Sequence, residues 1–357
     1  MKRLNGPQLK ILLVGPCPPP YGGIGTTVVD LHHHLVAQDS CEVVVLNIGE
    51  GRAVVNEQYL SVTGAWDYLN KVVRYARHGY VIHLETNGHN FKSWLSALVC
   101  SAAGLLNGRR TVIAFGSGNL PTYLQQSAGL ARLVIRAVLK WAGVIICRNP
   151  SMLQALRAFG GERPRIEIVP GFMGLQGRQF GPLPKAVEEF CRSHEPVLGA
   201  TVSLSPEYGV SLAIQALGRV RERYPHIGLI LIGIGPETEP YLPELRWVRD
   251  RVLLAGTLSP DVTLSVMKRL SVFLRPTFFE GDSISVREAL ALGLPVVASD
   301  TGFRPNEVRR FIRGDCQDLC LQLDVVLSQA ARGAPVKHDG HLQEGSAPRM
   351  LELYRKF

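Results

Sequence analysis

The feature that most restricts this chain is a repeated alternation of two kinds of segment. Short β-branched runs hand on to longer segments of helical period: KILLVG to TTVVDLHHHLVAQ, then EVVVLNI, VIHLE to WLSALVCSAAGLL, TVIAFG to LARLVIRAVLKWA, GVIICR to SMLQALRAFG, and IEIVPG. Strands joined through helices pair in parallel, with helices covering both faces of the sheet. A polar, Pro- and Gly-rich passage, GFMGLQGRQFGPLPK, breaks the rhythm, and the same alternation restarts at PVLGATVSL and runs through IGLILIG, VFLRPT and PVVASD. The expected fold class is therefore α/β: two consecutive Rossmann-like, doubly wound domains facing across a cleft onto which strand-to-helix loops converge. The expected boundaries are 1–175, a linker at 176–196, a second domain at 197–340, and a short amphipathic helix at 341–357 around SAPRMLELYRKF.

Composition agrees with two ordinary domains: 357 residues, 46% apolar and 19% charged, are enough to bury sizeable cores. The formal charge of +9 is scattered, with pairs such as Arg109-Arg110 and Arg309-Arg310 but no long basic run. Without a basic stripe interleaved with aromatics, nucleic acid is not an expected partner. An anionic small substrate or a membrane surface suits the charge better, and a simple gain in solubility explains it equally well. The seven cysteines form an odd set without a CxxC pair and read as reduced, mostly buried thiols of a cytoplasmic chain. The opening MKRLNGPQLKILLVG reads as a first strand rather than a signal peptide, since its apolar run is only ILLV. No apolar stretch approaches the roughly 18 residues of a spanning helix, so any membrane association is expected to be peripheral, at the inner face of the cytoplasmic membrane. His32, His33 and His34 point in different directions on one helix, no HExxH is present, and Cys316 and Cys320 read as neighbours on a helix face; no metal is expected.

Three loops have the chemistry to hold a ligand. PPPYGGIGTT follows the first strand, where Gly22, Gly23 and Gly25 permit close backbone approach and Thr26 or Thr27 can cap the next helix. It is neither GxxxxGK[ST] nor GxGxxG, which argues against an NTPase or a dinucleotide oxidoreductase, and a plain tight turn reads the same way. LIGIGPE at 231–237 is a second Gly-rich loop. PTFFEGDSISVRE at 276–288 combines more requirements: a loop carboxylate (Glu280), a helix start with Asp282 or Ser283 as its cap, and a second carboxylate (Glu288) just over one turn later. Backbone N–H groups at such a helix start attract an anion such as phosphate, and carboxylates accept hydrogen bonds from sugar-like hydroxyls. The competing reading leaves both glutamates solvated or pairs them with Arg275 and Arg287.

PTFFEGDSISVREALALGLPVVASDTG resembles the Glu, seven residues, Glu signature of family 4 glycosyltransferases, the retaining, metal-independent enzymes of the GT-B fold. GGIG, VIHLE, RIEIVPGFM, SPEYGVSLAIQAL, LILIGIGPE, VLLAGTLS and LELYRKF extend the resemblance over nearly the whole chain. It implies an acceptor-binding N-terminal domain, a nucleotide-sugar-binding C-terminal domain, and a last helix that crosses back to the first. Glu280 would contact hydroxyls of the donor sugar as the catalytic carboxylate, the amides of Gly281, Asp282, Ser283 and Ile284 would hold the diphosphate, and Glu288 would bind the ribose. Gly256, Thr257 and Leu258 would line the base pocket, and Gly22 and Gly23 would meet the phosphates from the other domain.

Two positions depart from the family pattern. Where relatives carry an Arg and a Lys that neutralise the departing diphosphate, this chain has Ser203 and Tyr208, and loss of such charge-assisted donors raises a barrier by several kcal/mol. On the acceptor side, AFGSG supplies Gly116 and Ser117 in place of the usual His, the nearest histidines in sequence being His83 and His89. The expected function is a retaining, metal-independent transfer of a hexose-type unit from a nucleotide-diphosphate sugar to an acceptor hydroxyl on a glycan or lipid-linked molecule, in cell-surface polysaccharide or glycan biosynthesis. No cofactor is expected beyond that donor, and Arg275, Arg178 and Arg304 are candidates for the missing charge. The alternatives are a catalytically weakened binding or scaffold protein and a transferase whose donor carries one phosphate. Donor sugar, base, acceptor and oligomeric state have no readable code in the loops.

Overall fold

The computed structural model describes residues 9–19, 21–38, 40–53, 57–108, 111–160, 165–331 and 345–357. Arg109 and Arg110, and the start of the segment read as the closing helix, lie outside the described residues. The chain divides into two compact units, one running through Met173 and including Gly345–Phe357, the other Gly174–Glu344.

The first unit is built on a sheet of seven strands among the described residues: β1 (Leu9–Gly15), β2 (Cys41–Asn47), β3 (Leu60–Ser61), β4 (Val81–Thr86), β5 (Thr111–Phe115), β6 (Val144–Cys147) and β7 (Ile166–Ile168). Every pair is parallel, in the order β3-β2-β1-β4-β5-β6-β7. The central strands are buried along their whole length, as a sheet covered on both faces requires. Alternate residues of each strand divide between two cores. Leu12, Val14, Ile82, Leu84 and Ile113 join the core formed with the helices Ala65–Arg77, Phe91–Leu106 and Gly129–Trp141. Ile11, Leu13, Val81 and Val112 join the core formed with the helix Gly23–Val36 and the closing helix Ala347–Tyr354. That closing helix is fastened to the first unit by Met350, Leu353 and Tyr354, by the Ser346 amide bonding to the Phe172 carbonyl (2.9 Å), and by the Arg349–Glu167 ion pair (2.7 Å).

The second unit repeats the plan with six parallel strands among the described residues: β8 (Val197–Thr201), β9 (Gly228–Ile232), β10 (Val252–Leu254), β11 (Val272–Arg275), β12 (Val296–Ser299) and β13 (Arg309–Phe311). Their order is β10-β9-β8-β11-β12-β13. The chain runs outward from β8 to β10 on one side and from β11 to β13 on the other, so the loops after β8 and β11 diverge at a switch point, the place where open sheets of this kind hold ligands.

Residues 176–196, read from their Pro and Gly content as a linker, belong to the second unit and carry a helix at Lys185–Ser193. Pro184 precedes its first turn, and Val187 is buried in the core that includes Met267 and Phe273. The seven cysteines are free thiols; Cys17, Cys100 and Cys147 are buried and the other four are half-buried, fewer in the core than composition suggested. Among the described residues no helix is long and apolar enough to cross a membrane.

Candidate functional site

The switch point of the second unit is closed by a guanidinium. Arg275 is the last residue of β11, and its Nη1 reaches the carbonyl of Thr201, the last residue of β8, at 2.7 Å. From there its Nε donates to both carboxylate oxygens of Glu280 at 3.1 Å, and its guanidinium lies 5.2 Å over the Tyr208 ring. A second guanidinium arrives from farther along the chain: Arg304 donates to Glu280 Oε2 at 2.9 Å and to the Ser299 carbonyl at 3.0 Å. Thr277 completes the clasp, its hydroxyl donating to Glu280 Oε2 at 3.0 Å.

Burial alone would push the Glu280 carboxyl up, but Arg275 and then Arg304 more than offset it and hold the group down to about 2. Glu280 in turn holds Arg275 up against the effect of burial, while burial draws Arg304 down. Two arginine charges against one carboxylate leave the cluster positive by one.

The loop around Glu280 is fixed mainly through its backbone. The Phe278 amide bonds to the Glu207 carbonyl (2.8 Å), Ser299 Oγ donates to the Thr277 carbonyl (2.6 Å), and the Phe303 amide bonds to the Gly281 carbonyl (2.9 Å). Two glycines are required by the same close approaches. Gly209 (φ +65°) would place a Cβ 2.0 Å from the Pro276 carbonyl oxygen, and Gly302 (φ +66°) would place one 2.3 Å from that of Glu280.

Helix Ile284–Ala291 starts where this loop ends. Ser283 is its cap, with Oγ accepting from the Val286 amide at 3.4 Å. The N–H groups of Ile284 and Ser285 have no carbonyl one turn back within the helix, which leaves the positive end of the helix dipole beside Glu280. Asp282 is turned inward, both of its oxygens 2.8 Å from Arg287 Nε, and its backbone forms an isolated parallel bridge with Phe303. Glu288 is buried in the helix with its Oε1 at 3.9 Å from Arg178 Nη2; Arg178 Nε is 3.8 Å from Asp261. Ser203 and the exposed Thr257 sit on the loops after β8 and β10, and the Gly256 loop is tied to the loop after β9 through the Gly233 amide and Gly256 carbonyl at 2.8 Å. Leu258 packs partly buried in the core around Val262.

In the first unit, Gly22, Gly116 and Ser117 lie at the carboxyl edge of the sheet, in the loops after β1 and β5, and Gly23 opens the helix that follows β1. Gly22, not Thr26 or Thr27, precedes the first helical turn, where an added Cβ would meet nothing within 4 Å. Thr27 is already inside the helix, its hydroxyl donating to the Gly23 and Gly171 carbonyls, which is why it cannot cap. The Gly116 amide bonds to the Thr86 carbonyl (2.9 Å) and that of Ser117 to the Asn87 carbonyl (3.1 Å).

His83 is at odds with an acceptor-side role. Its ring is buried inside β4, with Nδ1 bonded to the Tyr354 hydroxyl and Nε2 3.2 Å from Glu85, which in turn binds the buried Arg148. A side chain sealed in a core network cannot reach a substrate hydroxyl. His89, in the loop after β4, is exposed instead.

Residues 195–323 match a family model described as "Glycosyl transferases group 1". The match covers most of the second unit and ends beyond the Glu280 loop. Among curated proteins, the chain is 26% identical over 192 residues to the phosphatidylinositol N-acetylglucosaminyltransferase gpi3 subunit of Schizosaccharomyces pombe, covering 51% of this chain and 39% of that one. It is 25% identical over 197 residues to a GDP-mannose-dependent alpha-(1-6)-phosphatidylinositol monomannoside mannosyltransferase of Mycobacterium tuberculosis, covering 50% of each chain. The chain thus spans half or less of the length of these relatives. Among solved structures, it superimposes on Anabaena HepE in complex with UDP with a TM-score of 0.72 at 16% identity, over 98% of this chain and 100% of that one. For sucrose-phosphate synthase of Thermosynechococcus elongatus the TM-score is 0.74 at 18% identity, over 98% of each chain. The two parallel Rossmann-like sheets have the GT-B fold of these structures.

Within the group 1 match, the structure brings Glu280, Tyr208, Gly281, Asp282, Ser283 and Ile284 together at one switch point, with Ser203 on the loop after β8. The competing pairing is half right: Arg275 binds Glu280, but Arg287 binds Asp282 and leaves Glu288 to Arg178. Ser299 and Gly302 escaped notice because their part in the site depends on β12 lying beside β11, which no local pattern announces, while Thr277 went unnamed although it stands three residues before Glu280 in the same loop.

Proposed function

We propose that this chain transfers a sugar from a nucleotide-diphosphate donor, bound at the β8/β11 edge of the second unit, to an acceptor hydroxyl of a glycan or lipid-linked molecule. The observation that carries the reading is Glu280 held between Arg275 and Arg304, one short turn ahead of the N-terminus of helix Ile284–Ala291. In this reading the Glu280 oxygens accept from hydroxyls of the donor sugar, the first-turn amides hold the diphosphate, and Glu288 takes the ribose. The clasp carries an excess positive charge and its Arg275 lies over the Tyr208 ring, which supports a reading in which Arg275 and Arg304 stand in for the usual cations and supply the field that favours the departing diphosphate, without a metal ion. The bond from the anomeric carbon to the phosphate oxygen breaks as the acceptor oxygen bonds on the same face, and the acceptor proton passes to the leaving phosphate oxygen. The anomeric configuration is retained and no separate nucleophile is needed.

The relatives are named for N-acetylglucosaminyl and mannosyl transfer to phosphatidylinositol-based acceptors, which supports a hexose-type donor and a role in glycan assembly. The absence of the usual cation pair favours one other reading, a donor with a single phosphate. The test is turnover of a panel of nucleotide sugars in the presence of a chelator, with the product anomer read by NMR. We expect retention with one donor and a loss of about 10²-fold or more in kcat for Glu280→Gln. Inversion, or unchanged turnover in the variant, would overturn the assignment.

A further inference from the structure

A second feature of the first unit concerns its outer surface. From residue 86 to residue 161 the chain contains no Asp or Glu, yet it contains eight Lys or Arg. Two adjacent helices from this stretch, Phe91–Leu106 and Gly129–Trp141, cover one face of the sheet. Their inner sides are buried, with Trp94, Ala97 and Cys100 on one and Ile135, Val138 and Leu139 on the other.

Their outer sides do not have the polar character of an ordinary surface helix. Positions 95, 98, 99, 102, 105 and 106 recur at helical spacing, all apolar, and Leu95, Leu105 and Leu106 are exposed, Leu106 at 83%. On the neighbouring helix Leu130 and Leu133 are exposed at 66% and 64%, beside the exposed Arg136 and Lys140. The next helix over, Ala65–Arg77, has Asp67 as its one acid, and that carboxylate is bound to Lys71 at 2.7 Å.

We propose that this face docks on an anionic lipid surface. A row of protruding leucines beside cations, with no carboxylate among them, combines the apolar and electrostatic contributions that hold a protein at an interface: leucines enter the acyl boundary while long basic side chains remain at the headgroups. A second copy of the chain is a poorer occupant, because two acid-free basic faces repel one another.

The experiment is flotation of the full chain with vesicles of phosphatidylcholine alone or mixed with phosphatidylglycerol, at low and high salt. We expect binding to the mixed vesicles only, reversed by salt. Arg136→Glu with Lys140→Glu should weaken it about tenfold or more, since each basic residue near such a surface contributes roughly a factor of five. Leu105→Ser with Leu106→Ser, at exposed positions, should also weaken it while leaving the melting temperature unchanged. Equal binding to neutral vesicles, no binding, or full binding by both variants would overturn the proposal. So would a concentration-dependent dimer in sedimentation velocity that the leucine substitutions abolish, since the face would then belong to a second copy. Nucleotide binding by the second unit is a separate readout, so failure here leaves the donor-site reading standing.

Discussion

Two buried carboxylates occupy matching places in the two units. Glu85 lies near the end of β4 and Glu280 just after β11, and both strands sit beside the first strand of their own sheet. Each is bound by a buried arginine, and each is held down to about 2 against a burial effect that alone would raise it. Around Glu85 the remaining contacts are His83 and, through it, Tyr354, so the cluster ties the closing helix to the sheet, and the Glu85 side chain is 2% exposed. Around Glu280 the partners are two arginines and a threonine in a loop that ends at a helix N-terminus, and its side chain is 10% exposed. A strongly perturbed carboxyl is therefore not by itself the mark of a site. The neighbours differ: one carboxylate ties a helix into the core of its unit, the other is held by two arginines and a threonine hydroxyl in a loop at the edge of its sheet.

The comparison is broken most forcefully by deleting the structural member. Glu85→Ala leaves Arg148 buried without its carboxylate, and we expect a loss of about 3–5 kcal/mol in unfolding free energy, measured by urea denaturation. A loss under about 1 kcal/mol would mean that water reaches the cluster and that it is not the fastening described.

Acid sharpens it next. With an ordinary carboxyl value of 4.5 and a folded value of about 2, each glutamate contributes stability that is complete above the ordinary value and is lost as pH falls from about 5 toward 2. The loss is roughly 3 kcal/mol per group, and in Glu85→Ala the share belonging to Glu85 should disappear from the pH profile while that of Glu280 remains. An unchanged acid profile in that variant would remove Glu85 from the account.

Sequence reading succeeded where local rules govern. Alternating strand and helix periods announced parallel sheets, and the Asp-Ser step before an apolar helical run located the cap that Ser283 provides. It failed where distant segments meet. Arg304 and Arg178 could be named as candidate cations but not given their partners: Arg304 reaches Glu280 from 24 residues away, and Arg178 reaches Glu288 from a passage that looked like a linker. His83 looked available because a strand shows only which residues alternate in direction; whether a face is then covered by a helix from the far end of the chain, carrying Tyr354, is a tertiary fact. The helix Lys185–Ser193 was obscured by the prolines and glycines on its N-terminal side, yet it forms because Val187 finds the core of the second unit.

The most direct test of the central claim is calorimetric titration with the uridine, guanosine, adenosine and cytidine diphosphates and their monophosphates. The account predicts that one diphosphate binds in the micromolar range, that its monophosphate binds at least about tenfold more weakly, and that Glu85→Gln leaves this affinity unchanged. Failure of every diphosphate to bind, or a monophosphate binding as tightly as its diphosphate, would contradict it.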